Sequence, residues 1–122
     1  APPGQGAELP REPACQATLG WPEGSLRLQL LPCRPGNNKV QVEVKGIPAQ
    51  ELSLDFAFPE RGLPPLRRQA LPRGAGQFEV EDVHLALAGE WQVDLRLLVS
   101  DFEERRDQIR LRVGERYELP GE

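Results

Sequence analysis

From Leu26 onward apolar residues recur at every second position, and that period decides what the chain can become. Leu26, Leu28 and Leu30 alternate with Arg27 and Gln29; Val40, Val42 and Val44 alternate with Gln41, Glu43 and Lys45. Leu52, Leu54, Phe56 and Phe58 alternate with Ser53, Asp55 and Ala57. The same rhythm runs through Trp91, Val93, Leu95, Leu97 and Val99, and again through Ile109, Leu111 and Val113. Successive side chains of a strand point to opposite faces, so each of these segments has one oily and one wet face. A helix would need the apolar positions at three- and four-residue spacing, which they do not show. Phe78 and Val80 are out of phase with Val83, Leu85 and Leu87, which predicts a bulge or bend near Glu81 and Asp82.

The 13 prolines and 12 glycines fall between these runs, as turn punctuation. Arg34-Pro35-Gly36-Asn37-Asn38, Pro59 to Pro65, Gly74-Ala75-Gly76 and Ala88-Gly89 separate the strands, and Leu66 to Leu71 reads as a short edge strand. The charged stretch Asp101 to Asp107 has no apolar face and reads as a loop. About seven short strands, each oily on one side, must close two sheets face to face. The expected fold is an all-β, immunoglobulin-like antiparallel sandwich, with a small barrel as the alternative. No strand is followed by a crossover helix, which argues against a parallel α/β fold. The length of 122 residues suits one domain. Residues 1–19, rich in Pro, Gly and polar residues, are expected to form an extended N-terminal arm, and residues 20–122 the sandwich.

A net charge of −4, with both signs well mixed, disfavours nucleic acid and anionic membrane surfaces as partners. No stretch reaches the roughly 18–20 apolar residues of a membrane helix, so direct insertion by this chain is not expected. The opening Ala1-Pro2-Pro3-Gly4-Gln5-Gly6 reads as a mature or truncated start, behind which a cleaved signal or a membrane anchor would fit. Cys15 and Cys33 are expected to form a disulfide, which places the chain in an oxidising compartment, periplasmic or secreted. Free thiols, or a thiolate metal or redox pair, are the alternatives.

The residues offer little catalytic chemistry, and no enzyme is expected. The single histidine, His84, falls on the polar side of its strand near Asp82, and no Gly-x-Ser-x-Gly elbow accompanies it. Ser25, Ser53 and Ser100 lie in strands or at strand ends. Glu79, Glu81 and Asp82, and Asp101, Glu103 and Glu104, read as solvated acids. The second group also lacks the spacing and glycine of an EF-hand calcium loop. A cuprous ion favours Met or Cys and a cupric ion favours His or the N-terminal amine; the chain has no Met and one His. A metal site would therefore rest on His84 with nearby acids, or on Cys15 and Cys33.

Several motifs occur in an order that resembles a known family. They are Arg34-Pro35-Gly36-Asn37-Asn38 before the valine-rich strand, Phe58-Pro59-Glu60-Arg61-Gly62-Leu63 after another, and Gly74-Ala75-Gly76-Gln77-Phe78. Leu85-Ala86-Leu87-Ala88-Gly89-Glu90-Trp91-Gln92-Val93 follows, leading into a long strand. Over Leu26 to Val113 the chain resembles the small Ig-like C-terminal periplasmic domain of copper-resistance CopC/CopD-type proteins, and the related YtkA-like domain. The resemblance implies an extracytoplasmic sandwich associated with membrane copper handling or respiratory-complex assembly. It supplies no ligand set for this chain.

The function expected from the sequence is a non-enzymatic extracytoplasmic accessory domain acting through protein contacts, in copper or other metal homeostasis by resemblance. Its partner would be a protein, a membrane-embedded one if the resemblance holds. Loops carried by a rigid sandwich are where binding usually resides, which singles out residues 59–72 and 101–107. The alternatives are a copper chaperone or transport domain binding the metal at His84, or a structural or adhesive module of a larger surface protein. No cofactor is expected; copper is the one metal that the alternative reading would bring.

Overall fold

The computed structural model describes residues 15–114, and nine antiparallel strands carry them. They are β1 (Gln16–Trp21), β2 (Gly24–Leu31), β3 (Gly36–Lys45), β4 (Glu51–Ala57), β5 (Leu66–Gln69), β6 (Leu71–Gly74), β7 (Gln77–Leu85), β8 (Gly89–Ser100) and β9 (Glu103–Val113). One sheet has the order β1-β2-β3-β7-β6 and the other β5-β4-β8-β9. In immunoglobulin lettering, β2-β3-β7-β6 is A-B-E-D and β5-β4-β8-β9 is C′-C-F-G. The fold is an immunoglobulin-like sandwich, with β1 an extra strand outside A.

The alternation seen in the sequence is the alternation of burial. Leu26, Leu28, Leu30, Val40, Val83 and Leu85 from one sheet are fully buried against Leu52, Leu54, Phe56, Val93 and Leu97 from the other. Removing these side chains from water is the main term that closes the two sheets, at roughly 1.5–3 kcal/mol each. The phase change in β7 is a bulge. Asn38 faces Val83 and Val40 faces Val80, so Glu81 and Asp82 together oppose Lys39. Asp82 accommodates the extra residue with φ of 57°.

Three expectations change. The sheet begins at Gln16, before the expected arm–sandwich boundary at residue 19; the rest of the arm, residues 1–14, lies outside the described residues. The 66–71 strand is two strands, because the chain crosses between sheets at buried Ala70, whose N–H bonds to the Leu52 carbonyl at 2.9 Å. Together β1 and this division raise the count from about seven strands to nine. Finally, the charged 101–107 stretch is mostly strand. Only Asp101 and Phe102 form the turn, and β9 starts at Glu103. Its first residues lack apolar alternation because they lie at a sheet edge with both faces largely wet.

Trp91, 5% exposed, fastens the β7–β8 corner. Its indole N–H donates to the Leu87 carbonyl at 2.9 Å, and its ring packs on Phe58 with centroids 4.8 Å apart. Immunoglobulin-like sandwiches place a tyrosine at the start of strand F to make such a bond back to the chain; here tryptophan does so. Gly89 belongs to the same corner. Its φ is 126°, and a Cβ there would stand 3.1 Å from the Phe58 ring.

Candidate protein-interaction surface

The strands β8 and β9, of 12 and 11 residues, are the longest in the sandwich and pair along their whole length. A register shift opposes Leu98 to Glu104 and Ser100 to Glu103, so the strand is bulged at Val99 as it enters the turn. The Ser100 hydroxyl accepts the Phe102 N–H at 3.3 Å, and the Leu98 carbonyl accepts the Gln50 N–H at 2.8 Å. The second of these bonds ties the tip to the loop before β4. The Arg105 guanidinium turns back to Glu23 and Glu103. What remains outside is Phe102, 98% exposed, beside Asp101, Glu103 and Glu104.

An aromatic side chain held in water at a hairpin tip gives up a large burial gain that a partner's pocket would recover. Aromatic anchors with a polar rim are the usual composition of a protein interface.

The outer face of β5-β4-β8-β9 continues this surface as a shallow groove of ≈ 550 Å³ lined by Ser53, Asp55, Arg67, Asp94, Arg96 and Arg106, among others. Pairing stacks charges in rows across the sheet. Asp55 faces Asp94, and Arg96 faces Arg106. Like charges directly opposite repel, and outer neighbours relieve three of the four. Arg67 grips Asp55 with two hydrogen bonds of 3.0 and 3.1 Å, and Gln108 donates to Asp94 at 3.0 Å. Arg106 pairs with Glu104. The Asp55 carboxylate holds the Arg67 guanidinium above its already high usual range, chiefly through their hydrogen bonds. Arg96 has no such neighbour among the described residues. Its planar fork of donors has the geometry to take a carboxylate or carbonyl oxygen.

The residues singled out in the sequence are dispersed. His84 is exposed on the outer face of the other sheet, its Nδ1 3.4 Å from the Asn37 side-chain oxygen. Cys15 and Cys33 are bonded to each other, which points to an oxidising compartment. Both sulfurs are taken up in that bond, and among the described residues no group of three His, Cys, Asp or Glu lies near enough to hold an ion. In the 59–72 segment Leu63 and Leu71 are 39% and 55% exposed. Phe102 lies inside the expected 101–107 surface, but its exposure follows from the tight turn and not from a long loop. Arg106 falls within the expected 101–107 surface, whereas Asp55, Asp94 and Arg96 were missed. They are outward positions of alternating strands, and only the register shows which of them meet. Compared with known protein families, curated proteins and solved structures, the chain matches none of them.

Proposed function

We propose that this chain is a non-enzymatic extracytoplasmic accessory domain that works through contacts with another protein. Phe102 is the anchor, and the charged groove behind it, with Arg96, is the rim. The observation that carries this reading is the near-complete exposure of Phe102 at the tip of the longest hairpin. Its placement on a rigid sandwich gives that anchor a fixed position. The disulfide supports an extracytoplasmic setting. The resemblance to copper-handling domains makes metal homeostasis the setting in which to seek the partner.

The test is a photo-crosslinking amino acid at position 102, with position 69 at the far edge of the same sheet as control, in cells that make the protein. A discrete adduct to one other protein is expected from position 102. Excess wild-type chain should compete it away, and Phe102→Ala should compete about tenfold less well, the loss that goes with one anchor side chain. No adduct, or the same adducts from both positions, would overturn the reading.

A further inference from the structure

Among the described residues the sandwich has four edge strands, and three of them are blunted. β5 and β6 have four residues each, the first with two arginines and the second with Pro72 and Gly74. β9 carries seven charged residues among its eleven. Short length, charge and proline are the usual means of keeping an edge from pairing with another chain. β1 has none of these. Its residues are Gln16, Ala17, Thr18, Leu19, Gly20 and Trp21, with no charge, no proline and an unbroken register against β2.

The hydrogen bonding shows which groups that edge presents. The Leu30 N–H donates to the Cys15 carbonyl at 2.8 Å, so residues 15 and 30 form a hydrogen-bonded pair. By the alternation of an antiparallel ladder, Ala17, Leu19 and Trp21 also turn their main-chain groups toward β2. Gln16, Thr18 and Gly20 turn theirs away, and these groups have no partner among the described residues. The strand is held in place for pairing. The Cys15–Cys33 disulfide fixes its start, and half-buried Ala17, Leu19 and Trp21 pack against the core.

We propose that β1 is a dimerisation edge, pairing antiparallel with β1 of a second copy about a two-fold axis at Thr18. The added strand should bring no charge, alternate apolar with small or polar residues, and present its own free main-chain groups in step. Among the described strands only β1 does so. With Thr18 against its counterpart, Gln16 faces Gly20 and Ala17 faces Leu19 of the other copy. The apolar side meets the apolar side, and the outward groups exchange about six main-chain hydrogen bonds. Threonine opposite threonine is itself a favourable cross-strand pair. The two five-stranded sheets become one sheet of ten. So short an edge buries less than the ~1,200 Å² of a standard interface, so a weak, concentration-dependent dimer follows.

The full chain, disulfide intact, is tested by analytical ultracentrifugation from micromolar to millimolar concentration, with amide hydrogen exchange at each. A monomer–dimer equilibrium is expected, with the Gln16, Thr18 and Gly20 amides gaining protection as the dimer forms. Thr18→Pro removes an N–H that β2 does not use, and Thr18→Lys sets two charges face to face. Each should weaken the dimer about tenfold or more while leaving the monomer's thermal unfolding within a few degrees. Thr18→Cys should give a covalent dimer on mild oxidation, since facing hydrogen-bonded Cα atoms stand about 5.5 Å apart, within disulfide reach; Gln16→Cys should not. A chain monomeric throughout would overturn the proposal, whether the three amides exchange freely (an empty edge) or are protected (an edge covered by the chain itself). A dimer unaffected by both Thr18 variants would place the interface elsewhere and overturn it equally.

Discussion

At the end of the sandwich where β2 joins β3, β4 runs on toward β5, and β7 joins β8, the connections are fastened to one another. Cys33 is bonded to Cys15, its N–H donates to the Asn38 side-chain oxygen at 2.7 Å, and its carbonyl accepts the Gly114 N–H. The Asn38 side-chain amide, 3% exposed, donates to the carbonyls of Arg34 and Gly36, both at 2.9 Å. Trp91, Phe58 and Leu87 close the rest. The opposite end has tight turns, surface ion pairs and a phenylalanine in water. Side chains at the first end turn inward and satisfy the main chain; at the second the most apolar one turns outward. One end holds the fold together, and the other is free to meet something else.

Substitutions measure that contrast directly. Trp91→Ala should show the largest loss, about 3–5 kcal/mol in denaturant unfolding, because a buried ring and its hydrogen bond disappear together. Replacing both cysteines by alanine should cost about 3 kcal/mol, for a loop closed at a separation of 18 residues. Asn38→Ala should cost about 2 kcal/mol, since main-chain groups inside the loop lose their partner. At the other end Phe102→Ala should leave stability within about 0.5 kcal/mol; a loss as large as that of Asn38→Ala would mean that the hairpin tip also holds the fold together.

Acid titration makes the smallest prediction, on the outer face of the five-stranded sheet. Lys39, first, and Arg73 hold the Glu79 carboxyl below the usual carboxylate range, each at 2.8 Å. The folded value is the lower one, so this contribution is complete above the unfolded value of about 4.3 and is lost as pH falls through the folded value. Lys39 is shifted the other way, chiefly by the same bond, and its share is present below about 10.4 and lost as pH rises through its raised value. Glu79→Gln should flatten the acid side of the unfolding midpoint against pH; an unchanged slope would remove Glu79 from the account.

Much of the architecture was legible because burial leaves a period-two mark. The residues of β2, β3, β4, β7 and β8 that alternate in sequence are those that fill the core. The β7 bulge was legible too, since an extra residue reverses the phase. β1 was not, because Gln16–Trp21 mixes small and polar residues whose inner side is only half buried. The first residues of β9 were not, because an edge strand with two wet faces has no alternation to show. The 101–107 stretch was legible as an exposed, charged surface, and the groove beside it was not.

Alternation with proline and glycine spacing predicted two sheets packed oil to oil, and one cysteine pair predicted a disulfide, because face and turn are properties of residues near one another in the chain. Which strands become neighbours, which become edges, and that Asp55 meets Asp94 while Arg96 meets no carboxylate among the described residues were decided only in three dimensions. Pairing joins residues tens of positions apart, and many pairings would bury the same oily faces. The one that exists is chosen by the sum of all its contacts, and no local pattern records that sum.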